Sequence, residues 1–155
     1  MKTIIISIFL IILLQNCGFK LVEQDKLINF HISEIETNGE RRINYNLKNR
    51  LLFTSKKNQG DSIKITITTK KNKNISEKNI KNEITKYLIN ITATVEYEYV
   101  NKLVKDSFSI TQGGNYSVSS QNFLTINSEK KLVNDLTKLL SDQIIEELVL
   151  RSNDR

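Results

Sequence analysis

The residues that most enzyme and metal chemistry depends on are nearly missing: the 155-residue chain holds one cysteine and one histidine. With one cysteine and His31 as the one histidine, the usual Cys/His ligand set of a zinc site is missing. No Ser/His/Asp or paired-carboxylate pattern with a workable geometry is present either. There is no proline. Alongside the abundance of Ile, Lys and Asn, that reads as compositional bias of the source, so Asn/Lys-rich stretches are weak evidence of disorder. No internal repeat and no low-complexity linker interrupts the chain.

Long apolar runs are also scarce. The longest, Ile4–Leu14, spans 11 residues and is broken only by Ser7. At ~1.5 Å per residue it covers about 16 Å, half of a ~30 Å hydrocarbon core, too short for a comfortable span. Lys2 precedes it and Leu14-Gln15-Asn16-Cys17 follows. A charged start, a short apolar run and a processing site are the parts of a secretory signal peptide. A leucine three residues before a cysteine makes residues 1–16 a lipoprotein signal, with Cys17 the lipidated residue. An uncleaved anchor helix, or a cleaved signal followed by an ordinary buried cysteine, stays open at this point. Lipidation also accounts for an unpaired thiol in an exported protein. Several acyl chains, at ~0.8 kcal/mol per buried CH₂, make such an anchor effectively permanent. Gly18 stands where an inner-membrane retention signal would place aspartate, which points to the outer membrane.

Acidic charge is in deficit. Removing the leader takes away Lys2 alone among charged residues, leaving 139 residues with 22 basic and 17 acidic side chains, a formal +5. That length is one domain's worth. The excess suits an anionic partner such as an anionic membrane face or a phosphorylated lipid, and export argues against nucleic acid.

After a tether over residues 17–26, the domain 27–155 reads as follows. Leu27–Ile35 alternates, with Ile28, Phe30 and Ile32 opposed to Asn29, His31 and Ser33, a half-buried strand. His31 falls on the polar side, where a solvated residue is the plain reading and a general base the sharper one. Asn38-Gly39-Glu40 has the look of a helix start, and Ile43, Leu47 and Leu51 set one stripe of a helix over 39–53. Its rim of Arg41, Arg42, Lys48 and Arg50 is either solvated or a binding surface. Ser62–Lys70 forms a second strand with Ile63, Ile65 and Ile67 inward. Lys71–Asn82 is expected to be a basic loop carrying Lys71, Lys73, Lys78 and Lys81 against Glu77.

The third strand is the clearest element: Tyr87, Ile89, Ile91, Ala93, Val95, Tyr97 and Tyr99 share one parity. Asn101-Lys102 turns into a fourth strand over Val104–Thr111. Gln112–Asn115 breaks it, and Tyr116–Ile126 is irregular, anchored by Tyr116, Val118, Phe123 and Leu124. A helix starting at Asn127 or Ser128 carries Leu132, Leu136, Leu139, Leu140, Ile144 and Leu148 inward. The order β-α-β-β-β-α predicts an α+β two-layer sandwich, two helices packed on one face of a four-stranded mostly antiparallel sheet. If sequence neighbours run antiparallel, the 36–38 loop, the basic loop 71–82 and segment 112–127 share one end, the candidate functional end.

This chain resembles the LPS-assembly lipoprotein family LptE. Cys17-Gly18-Phe19-Lys20-Leu21 is similar to that family's start after the lipidated cysteine, and Ile84-Thr85-Lys86-Tyr87 to the beginning of its third strand. Tyr116-Ser117-Val118, Ser120-Gln121-Asn122-Phe123 and Asp142–Leu148 resemble its C-terminal third. The resemblance implies a non-enzymatic outer-membrane lipoprotein without a cofactor, which plugs the LptD barrel, helps it assemble and binds lipopolysaccharide. Lys71, Lys73, Lys78 and Lys81 are then candidates for lipid A phosphates, since lysine meets phosphate as a point charge. The plain reading of the same lysines is a solubilising loop. An auxiliary lipoprotein of an ABC-type lipid transport system and a periplasmic enzyme around His31 are the competing readings.

Overall fold

The structure, a computed structural model, describes residues 30–55, 60–102 and 104–153. The expected signal peptide 1–16, Cys17, the expected tether 17–26 and the start of the domain lie outside the described residues. The elements run β1 Phe30–Gly39, α1 Arg41–Thr54, β2 Asp61–Lys78, β3 Ile84–Tyr99, β4 Val104–Ser117 and α2 Asn122–Asn153. The strands lie side by side in sequence order in one sheet. The predicted β-α-β-β-β-α sandwich is the observed architecture.

Alternation explains the sheet. Ile65, Ile67, Ile89, Ile91 and Val95 are buried against the helices. Their neighbours face the other side, where hydroxyls pair across strands (Thr92 with Thr111 at 2.8 Å) and Lys64 meets Glu34 at 3.0 Å. Helix α1 delivers Ile43, Leu47 and Leu51 to the core, and α2 delivers Leu136, Leu140, Ile144 and Leu148. Leu139, expected inward, is exposed on the flank of α2.

Three expectations are corrected. First, β1 and β2 are parallel, whereas β2–β3 and β3–β4 are antiparallel. The 14-residue α1 carries the chain back along the sheet, and a crossover of this kind joins parallel strands. Second, the expected basic loop 71–82 is mostly strand: β2 continues to Lys78, and only Asn79–Glu83 turns. Gly39, the last residue of β1, pairs with Thr69, so the β2–β3 hairpin runs about 30 Å past β1 at ~3.3 Å per residue. Third, β4 extends through Gly113-Gly114 to Ser117, and α2 begins at Asn122 rather than 127. Tyr116 is buried and Val118 half-buried, but Phe123 and Leu124 are exposed. β1 also differs from the expected strand in its inward set. A register irregularity between Ile32 and Glu34 brings Ile35 into the core, and His31 is half-buried.

The start of α1 is capped from a distance. Asn38 and Gly39 belong to β1, and the N-cap Glu40 makes no side-chain cap hydrogen bond. Instead the Glu40 N–H donates to Thr69 Oγ1 at 3.1 Å, and that hydroxyl donates to Asn44 Oδ1 at 2.7 Å. A residue of β2 thus satisfies a helix-terminal donor that would otherwise be orphaned.

Candidate functional site

The antiparallel register of β2 on β3 builds the far end of the domain. It puts Lys73 opposite Ile89 and Ile75 opposite Tyr87, while β3–β4 pairing sets Tyr87 beside Tyr116. The two tyrosine rings stack, 5.7 Å apart at 25°. Lys73 Nζ sits 4.2 Å from the Tyr87 ring centroid and 5.4 Å from that of Tyr116. Glu129, in the second turn of α2, closes the group. It accepts from Lys73 Nζ at 2.7 Å and from the Tyr116 hydroxyl at 2.8 Å, and Lys71 Nζ lies 3.7 Å away.

The charges report this arrangement. The Glu129 hydrogen bond, then that of Tyr116, pushes the Lys73 ammonium up to about 12. Burial works to raise the Glu129 carboxyl, but the hydrogen bonds from Lys73 and Tyr116 hold it below its ordinary value of 4.5. Burial raises the Tyr116 hydroxyl, with Lys73 opposing. Since the folded-state Glu129 value is depressed, its contribution is present above the unfolded value of 4.5 and is lost as pH falls through the folded one. The Lys73 value is raised, so its contribution is full below 10.5 and disappears as pH rises through about 12. Glu129→Gln is expected to destabilise by about 1–2 kcal/mol at pH 7. The gap to wild type should close as the pH is taken to 3, measured by chemical denaturation; a gap independent of pH would show that the charge of Glu129 is not what matters.

The hairpin tip is tightly held. Asn79 Oδ1 accepts from the N–H groups of Lys81 (2.9 Å) and Glu83 (3.0 Å), and Asn79 N–H donates to Glu83 O at 2.9 Å. Asn82 takes the left-handed conformation, φ 64°, which asparagine tolerates. Its side-chain oxygen accepts from Lys78 Nζ at 2.9 Å. This turn presents Ile80 fully to solvent, with Ile75 half exposed on the stem. Lys86 and Glu77 are paired at 2.6 Å. The first turns of α2, with exposed Phe123, Leu124 and Ile126, reach the same end, because Val118 N–H donates to Thr85 O at 2.8 Å.

The four candidate lysines therefore divide. Lys71 and Lys73 share the single carboxylate of Glu129, Lys73 at 2.7 Å and Lys71 at 3.7 Å, and belong to the packing between hairpin and α2. Lys78 has only the neutral Asn82 as partner, and the Lys81 ammonium has none among the described residues. The exposed Ile80, Phe123, Leu124 and Ile126 were not legible as site residues, since an apolar side chain in sequence reads as core. Among the described residues no cluster of three or more His, Cys, Asp and Glu could hold a metal. No described helix is long and apolar enough to cross a membrane.

The fold, a four-stranded sheet covered on one face by two helices, is shared with solved lipoproteins. Rare lipoprotein B from Shewanella oneidensis has it, at TM-score 0.61 and 9% identity, over 78% of this chain and 97% of that one. Lipoprotein B from Nitrosomonas europaea matches at TM-score 0.63 and 15% identity, over 88% and 93% of the two chains. A minor lipoprotein from Acinetobacter baumannii matches at 0.52 and 15%, over 80% and 94%. At such identities these likenesses show the fold alone. No curated protein matches the sequence. The family is given by the sequence itself: residues 29–148 match the model of LptE, lipopolysaccharide-assembly, and the chain belongs to that family.

Proposed function

We propose that the protein is an outer-membrane lipoprotein, acylated at Cys17 after removal of residues 1–16, that faces the periplasm. In this reading it plugs the LptD barrel, assists its assembly and binds lipopolysaccharide during delivery to the outer leaflet, without catalysing a reaction. Membership of a lipopolysaccharide-assembly family supports the process. The observation that carries the binding role is the hairpin tip, where Lys78 and Lys81, neither in an ion pair among the described residues, flank a fully exposed Ile80. A phosphorylated glycolipid offers anionic groups beside acyl chains, and this tip offers cations beside an apolar side chain. The turn's own hydrogen bonds hold it in shape before any ligand arrives, which lowers the ordering cost of binding.

Lys78→Glu with Lys81→Glu is the test. Replacing two attractive charges by repulsive ones should weaken lipopolysaccharide binding by the purified protein roughly tenfold to a hundredfold. Lys71→Gln should leave binding within about twofold, since Lys71 is already paired with Glu129. Unchanged binding in the double variant removes the hairpin from the role. Recovery from detergent-solubilised outer membranes without a large barrel partner would remove the plug.

A further inference from the structure

Strand β4 is an edge of the sheet, and among the described residues nothing pairs with its outer side. Such an edge presents a row of unpaired N–H and C=O groups, which proteins usually blunt with proline, bulges or charge. Here the pairing with β3 is regular from Lys86–Ser117 to Tyr99–Val104, and the chain has no proline. The opposite edge, β1, does carry an irregularity, between Ile32 and Glu34. From Ser107 to Ser117 no residue of β4 is charged. The charges at its start are engaged: Asp106 meets Arg151 at 3.1 Å and Lys105 meets Glu98 at 3.0 Å.

Above this edge runs α2. It follows β4 along its length, with Gln143 accepting from Gln112 Nε2 at 2.7 Å and Leu132 against Gly114, where an added Cβ would meet Leu132 Cδ1 at 2.8 Å. Steps of seven, four and seven residues place Leu132, Leu139, Gln143 and Leu150 in one stripe of the helix. Leu139 and Leu150 are 49% and 53% exposed. Leu132 to Leu150 spans about 27 Å, the length of about eight strand residues. Asp135 and Glu146, both exposed, adjoin this stripe.

We propose that the free edge of β4 and the overhanging flank of α2 form a docking groove for an extended segment of another polypeptide. The segment adds a strand by main-chain pairing with β4. It presents apolar residues to Leu132, Leu139 and Leu150, hydroxyl or amide residues to the other face, and a lysine or arginine to Asp135 and Glu146. A second copy of this chain is a poor occupant. Antiparallel edge-to-edge pairing of two β4 strands would crowd their two α2 helices on one face of the joined sheet, where packed helices need ~8–10 Å between axes. The groove uses neither Lys78 nor Lys81, so it stands or falls apart from the role given to the hairpin.

The probe is a synthetic peptide of about eight residues alternating valine and threonine, with a lysine at each end. Its control is N-methylated at alternate residues and cannot pair. Added to the purified full-length protein, the peptide should slow amide hydrogen exchange across Phe108–Tyr116 at least about tenfold, and the control should not. Leu139→Lys with Leu150→Lys, both outside the core, should weaken the peptide about tenfold while leaving the thermal transition in place. No slowing, slowing confined to β1, or an unaltered affinity in the double variant would overturn the proposal. So would β4 protection that appears without peptide and grows with protein concentration, which would give the groove to a second copy.

Discussion

Gly39→Ala is expected to destabilise the domain by roughly 3–5 kcal/mol, a severe effect for one methyl group. Gly39 has φ +99°, a conformation that side chains rarely adopt, and a Cβ there would lie 2.0 Å from Thr69 O. The obstacle is backbone in the middle of β2, so relief requires strand β2 or the end of β1 to move. Either movement disturbs Thr69, whose hydroxyl caps α1 through Glu40 and holds Asn44. Gly114→Ala is the contrast. Its Cβ would meet only the tip of the Leu132 side chain, which can turn aside, and the cost should be about 1 kcal/mol. Urea denaturation of the two variants measures the difference; equal losses would mean that the β1–α1 corner is not rigid.

Leu140→Ala should cost about 2–5 kcal/mol and lower the melting temperature by about 10 °C. Leu140 is fully buried in the core that α2 shares with the sheet. A strand-bound wall cannot collapse into the gap, so the cavity term adds to the lost transfer energy. Leu139→Ala, one residue away on the exposed flank, should change stability by no more than about 0.5 kcal/mol. Similar losses at both positions would show that α2 is rotated from the orientation described. The pair also separates stability from docking, since Leu139 belongs to the proposed groove and Leu140 does not.

The extent of β2 depends on its neighbours more than on its own residues. Its residues 71–78 are rich in lysine and asparagine, the composition of a loop. Yet β3 announced itself as a long strand through seven same-parity residues, and the backbone groups along that length are satisfied by pairing with neighbouring strands. The signal for residues 71–78 therefore lay in residues 87–99. The parallel pairing of β1 and β2 was likewise implied by the helix between them. The split among the four lysines had no such signal: Lys73 and Glu129 are 56 positions apart, and nothing local marks them as a pair.

Sequence alone determined the inner faces of β2, β3 and α1, because a two-residue and a four-residue period translate directly into which side chains leave water, while Leu139 and the irregular β1 escaped it. It determined the layer order and the family. The tertiary structure decided which lysines meet an acid, which apolar residues stay exposed, and where α1 finds its cap. Each of those depends on a distance between residues far apart in the chain, and such distances are set by strand register and helix position rather than by any local pattern.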